Sequence, residues 1–140
     1  MVSASPTRPP RRVGPPLVLT LAALSAGAIA VQVFLAGLNV FLGPRWWGWH
    51  IAFGHGVGVL LLVQAAATWL TRMPARSRWL SLGMVALFCL QYNARTLASL
   101  LDAPYLIPLH AVNALALFWI ATTLAGWARQ AGRETQPSDG

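Results

Sequence analysis

The stretch WGWHIAFGHGVGVLLLVQAAATWLT, residues 47–71, runs from end to end without Asp, Glu, Lys or Arg. A hydrocarbon core is crossed by roughly 20 apolar residues in helical form, and a helix satisfies its own backbone hydrogen bonds in lipid. The segment therefore reads as a transmembrane helix, with His50 and His55 in its first half. Working outward, similar apolar runs cover residues 17–42, 79–101 and 105–127. The breaks between them are short and turn-forming: Gly43-Pro44-Arg45, Arg72 to Arg78 around Pro74, and Asp102-Ala103-Pro104. Such connections make neighbouring helices antiparallel. The expected fold is all-α, a four-helix transmembrane bundle over residues 17–128, flanked by unstructured Pro-, Ser- and Arg-rich tails at 1–16 and 129–140.

Composition supports lipid as the main solvent. The chain has 140 residues, 56% hydrophobic and 9% charged, against about 25% charged in soluble domains. Basic residues are retained on the cytoplasmic side. Arg8, Arg11 and Arg12 precede the first helix, Arg72, Arg76 and Arg78 join the second to the third, and Arg129 and Arg133 follow the fourth. Only Arg45 falls in a loop on the other side, where Asp102 balances it. Both termini are thus expected in the cytoplasm. Trp46, Trp47, Trp49 and Tyr105 form the outer aromatic belt and Trp69, Trp79 and Trp127 the inner one. The net charge of +7 is divided among three flanks, which suits anionic lipid and not a nucleic acid. Arg11-Arg12 and the small residues around Ala28 imitate a cleavable signal, but the apolar run continues to Leu42, so a retained helix is expected. Cys89 has no second cysteine to pair with and reads as a small core residue.

Nearly every strongly polar side chain of the apolar runs falls in the outer half: Gln32 and Asn39, His50 and His55, Gln91, Asn93 and Arg95, His110 and Asn113. Intramembrane polar and ionisable groups are costly and mark functional sites. Helical spacing gathers them into one face per helix: Gln32, Ala36 and Asn39; His50 and Gly54, with Gly58 slightly round; Gln91 and Arg95; His110, Asn113 and Ala114. At about 1.5 Å per residue, Asn39, His50, Arg95 and His110 lie roughly 5 to 10 Å below the outer interface, and Gln32, His55, Gln91 and Asn113 roughly 12 to 17 Å. An apolar plug is expected below this layer. His50 and His55 are about 140° apart around the helix and do not share a target.

Two imidazoles on facing helices are the usual axial donors to haem iron in a bundle. One expected site is therefore haem b between His50 (or His55) and His110, with Gly54 and Gly58 leaving room for the porphyrin and Arg95 meeting a propionate. Electron transfer or redox sensing would follow, with a partner protein as the other redox centre. The same residues also fit a pocket for a small anion, lipid headgroup or quinone centred on Arg95 and oriented by Gln32, Asn39, Gln91 and Asn113. They fit, too, a scaffold in which small residues and interhelical hydrogen bonds merely pack helices. Zinc or copper lacks His-x3-His spacing, and hydrolysis lacks paired carboxylates or a Ser-His-Asp order.

The runs Gln32-Val33-Phe34-Leu35-Ala36-Gly37, His50-x3-Gly54 and Leu109-His110-x2-Asn113-Ala114 resemble a family of small bacterial four-helix membrane proteins of uncharacterised function, over roughly residues 30–125. The resemblance implies a bacterial inner-membrane location and makes His50, not His55, the family-type histidine. Ala111 stands where that family usually has proline, which leaves the start of helix four less sharply defined. More distantly the pattern is similar to membrane b-type cytochromes, a likeness of fold alone.

Overall fold

In the computed structural model, which describes residues 13–134, the chain forms four helices: α1 Gly14–Leu42, α2 Trp47–Leu70, α3 Ala75–Leu100 and α4 Leu109–Arg133. Two short 3-10 turns, Pro44–Trp46 and Pro104–Leu106, precede α2 and α4. No strand occurs among the described residues.

Each boundary has a local cause, and several lie away from the apolar limits. Pro15 and Pro16 open α1, where a missing N–H costs nothing. Residues 14–16 are thus helical, and of the expected N-terminal tail only 1–12 falls outside the described residues. Gly43, at φ 106°, ends α1 in a conformation that favours glycine. Helices α2 and α3 each end with a left-handed residue, Arg72 and Asp102. The next amide bonds back across the last turn, Met73 N to Thr68 O at 3.0 Å and Ala103 N to Ala98 O at 2.8 Å. Met73 and Ala103 are buried, the apolar contact that accompanies this termination. Pro74 caps α3, so Arg76, Ser77 and Arg78 form its first turn instead of a loop. Helix α4 runs to Arg133, past the apolar limit at residue 127, because its end needs no lipid-compatible side chains. Residues 129–133 are therefore helical too, and 135–140 lie outside the described residues.

Helix α1 packs on α2 and α4, and α3 packs on the same two, so α1 faces α3 and α2 faces α4 across the bundle's diagonals. The end of α2 and both outermost helix ends meet at one pole: Gly14 abuts Thr71, and Gly132 approaches Pro15. We refer to this as the terminal half and to the other as the distal half. Almost all the core lies in the terminal half. Ala22, Ile29, Val57, Leu61, Met84, Leu117, Ile120, Ala121 and Leu124 make one buried cluster. Val18, Ala67, Met73 and Ala128 make a second one.

The terminal half is not the purely apolar plug that the sequence suggests. Gln64 is buried to 1% exposure, accepts a hydrogen bond from Ser25 Oγ at 2.5 Å and donates to Met84 Sδ at 3.8 Å. Thr68 and Ser81 share a hydrogen bond of 2.8 Å. Helices approach closely at these small polar residues, and each group finds a partner.

Three helical stretches are long and apolar enough to cross a membrane: Gly14–Leu42, Pro44–Leu70 and Pro104–Arg133. Helix α3 is long enough but carries Arg76, Arg78, Gln91, Asn93 and Arg95, which lower its mean hydropathy below that of the other three.

Candidate functional site

In the distal half buried side chains give way to open space between the helices. No residue of α1 beyond Ile29, of α2 before Gly54, or of α4 before Leu117 is buried. The space between them is a cavity of about 930 Å³ with walls from all four helices. Its polar groups are few: Gln32, His50, Gln91, Tyr92, Arg95 and His110, set among Ile29, Ala36, Trp47, Gly54, Phe88, Ala111, Ala114 and other apolar residues. A concave, mainly apolar chamber with a few convergent polar groups is the usual form of a ligand site.

His50 and His110 come from the diagonal pair α2 and α4, yet their ring centroids are 6.1 Å apart, with the planes tilted by 52°. Both are half-buried. Each is held in the same way by the helix that precedes its own: His50 Nδ1 donates to Gln32 O at 3.2 Å and His110 Nδ1 donates to Gln91 O at 3.2 Å. A carbonyl oxygen only accepts, so the hydrogen rests on Nδ1 and the Nε2 lone pair is left free. Trp47 stacks on His50 at 5.1 Å, which fixes the ring's swing.

The two halves of the chain thus repeat one another. The hairpin α1–α2 supplies Gln32 and then His50, 18 residues on, and the hairpin α3–α4 supplies Gln91 and then His110, 19 residues on. The repetition is incomplete: the intervals differ by one residue, and Ile107 stands where Trp47 precedes the other histidine. Asn113, 22 residues after Gln91, donates to Gln91 Oε1 and to Leu87 O, both at 2.8 Å. The residue as far after Gln32 is Gly54, and a Cβ there would lie 2.6 Å from Gln32 Nε2. Gln32 therefore fills the notch of Gly54, and its Oε1 is buried without a partner.

Other expected site residues lie elsewhere. His55 does not line the cavity: it sits on the exposed flank of α2, with Nε2 2.9 Å from Tyr92 Oη, as its angular offset from His50 requires. Gly58 faces Phe88, whose Cε1 would be 2.7 Å from an added Cβ, so its bareness admits an aromatic ring of this chain and opens no space. Asn39 lies beyond the cavity wall with Oδ1 buried and unpartnered, and Asn113 acts behind the wall through Gln91. Asn93 spends its amide on Cys89 O at 2.8 Å, and Cys89 is exposed, not core. Arg95 lines the cavity and is exposed to the outside. At Ala111 the start of α4 is set by Pro108, which precedes the helix and accepts from Ala111 N at 3.0 Å. Among the described residues no three His, Cys, Asp or Glu side chains come together as a metal cage needs.

Sequence reasoning missed Trp47, Tyr92 and the use of Gln32 and Gln91 through their carbonyls. The repeated Gln-to-His interval of 18 and 19 residues is the signal that could have found the last of these.

Residues 32–97 match DUF6220, a family of unknown function. The match spans the distal part of α1, all of α2 and most of α3, and stops short of His110. No curated protein and no solved structure matches the chain.

Proposed function

We propose that the distal chamber binds haem b, with His50 and His110 as the two axial ligands, in a bacterial inner-membrane protein that passes single electrons. The observation that carries this reading is the imidazole pair itself. The ring centroids stand 6.1 Å apart, near enough for one iron centre to be held by a nitrogen from each, as histidines on facing helices hold haem iron. Backbone carbonyls on both Nδ1 atoms give each ring the tautomer and orientation that metal-bound histidines usually have. The surrounding chamber is apolar and of porphyrin scale. Arg95 is the cation for a propionate, since the membrane-spanning segments contain no carboxylate to compete for it.

Haem would supply a reversible one-electron couple there. The chain's own residues hold the two imidazoles in place through the Gln32 and Gln91 carbonyls and surround them with a mainly apolar wall. A single centre does not move electrons across about 30 Å of hydrocarbon unaided, so a partner protein belongs to the reading. With the arginine-rich pole at Arg72, Arg76, Arg78, Arg129 and Arg133 in the cytoplasm, the chamber opens toward the periplasmic side. Helix α3 crosses with the others, its polar residues turned to the chamber or the interfaces.

The test is spectroscopic. The full chain, expressed with haem precursor and purified in mild detergent, is expected to show a Soret band and sharp α and β bands after dithionite reduction. His50→Ala and His110→Ala should each lose that six-coordinate spectrum, and carbon monoxide should shift the reduced bands only in those variants. A folded but colourless wild-type protein would overturn the proposal.

A further inference from the structure

We infer a second binding site, for the head group of a lipid-soluble quinone, at the His55–Tyr92 pair on the flank shared by α2 and α3. It rests on the membrane reading of this bundle but not on haem. His55 is exposed, and its Nε2 meets Tyr92 Oη at 2.9 Å in an edge-on ring contact of 5.7 Å. The bond uses one imidazole nitrogen and leaves Nδ1 of an exposed side chain for another partner. Other exposed polar groups along the spans turn back on their own helix: Asn93 to Cys89 O, Thr122 to Phe118 O and Thr123 to Trp119 O. His55 instead reaches across to α3 and keeps hydrogen-bonding capacity in hand, at a place where an ionisable side chain is costly and is functional by default.

Depth selects the chemistry. His55 lies eight residues into α2, about 12 Å along the helix, below the reach of lipid headgroups and within the acyl chains. A ligand arriving there comes through hydrocarbon, so it is apolar over most of its length and carries a hydrogen-bonding end. The surface beside the pair suits a flat ring. Ala52, Gly56 and Val59 continue the exposed face of α2, and a Cβ on Gly56 would meet nothing within 4 Å. Tyr92 is 59% exposed and offers a ring edge and a hydroxyl. A quinone or quinol ring, with oxygens that accept from or donate to His55 Nδ1 and Tyr92 Oη, matches this set. Tyr92 also lines the distal chamber, so a head group here stands one side chain away from the His50–His110 pair.

The experiment is photolabelling of the full chain in phosphatidylcholine nanodiscs with a short-chain azidoquinone, mapped by peptide mass spectrometry. Label is expected around residues 52–59 and 88–96, and excess unlabelled quinone should displace it. His55→Leu and the conservative Tyr92→Phe should each weaken labelling about tenfold, the loss of one good hydrogen bond, with unchanged thermal melting. Labelling that survives both substitutions, resists competition or spreads along all lipid-facing helices overturns the inference. So does labelling confined to the chamber walls on α1 and α4. The His50→Ala protein separates the two proposals: it should label like wild type, so a chain that never shows a Soret band but labels at His55 sinks the haem reading and leaves this one standing.

Discussion

The terminal and distal halves of this bundle use the same four helices for opposite ends. In the terminal half, side chains such as Leu61, Met84 and Leu124 are at most 1% exposed, and even the polar Gln64, Ser25, Thr68 and Ser81 find partners inside the protein. In the distal half the helices border about 930 Å³ of space that is open to the outside, and the polar groups on its wall keep unspent capacity: a free nitrogen on each imidazole and the unpartnered Gln32 Oε1. Polarity alone does not distinguish a site from a scaffold in a membrane bundle. The terminal half has exceptions of its own, since Ser77 Oγ and Arg78 Nε are buried without a partner; what sets the distal half apart is that its polar groups border open space.

The sharpest way to break this contrast is to remove one imidazole. His50→Ala or His110→Ala should abolish the Soret band yet leave thermal unfolding of the haem-free protein nearly unchanged, because neither ring belongs to the core. Leu61→Ala should do the reverse, lowering stability by about 2 to 4 kcal/mol in reversible detergent unfolding through the cavity it leaves, with the absorption spectrum intact at low temperature. Gly58→Ala sets a Cβ 2.7 Å from Phe88 Cε1, and overpacking of that kind costs about 1 to 3 kcal/mol; haem titration should give an unchanged midpoint. Ser25→Ala deprives Gln64 of its donor, and interhelical hydrogen bonds in membranes are worth about 0.6 kcal/mol, at most about 1.7, so a shift of only a few degrees in melting is expected. Arg95→Gln should leave melting unmoved and weaken haem retention a few-fold, as loss of an exposed ion pair does. An Arg95→Gln protein that melts far lower would show that the distal half is structural after all.

The fold was legible because lipid leaves a chain so few ways to pair its backbone. Uncharged runs separated by Pro, Gly and Arg set the helix count and the antiparallel order, and errors were confined to ends, where capping outweighs hydropathy: Pro15 starts a helix and Pro74 begins α3 before its charges end. Facing was harder to read. Periodicity placed His50 and His110 on inward faces, and their ring centroids lie 6.1 Å apart, but it could not say that Gly58 is spent on Phe88 or that His55 finds Tyr92. Those depend on the rotation of α3 against α2. The carbonyl bonds to His50 and His110 were invisible because main-chain oxygens carry no residue-type signature. Gln64 was overlooked because it stands alone in its segment's inner half; its partners, Ser25 and Met84, are contributed by other helices.

The recurrence of one contact, a carbonyl steering the imidazole of each hairpin's second helix, bears on how the protein could be divided. Each hairpin brings its own histidine and the carbonyl that orients it, so neither depends on the other to set its ring. Two separately expressed hairpins, cut at the turn around Arg72 and Pro74, should still find each other in a bilayer.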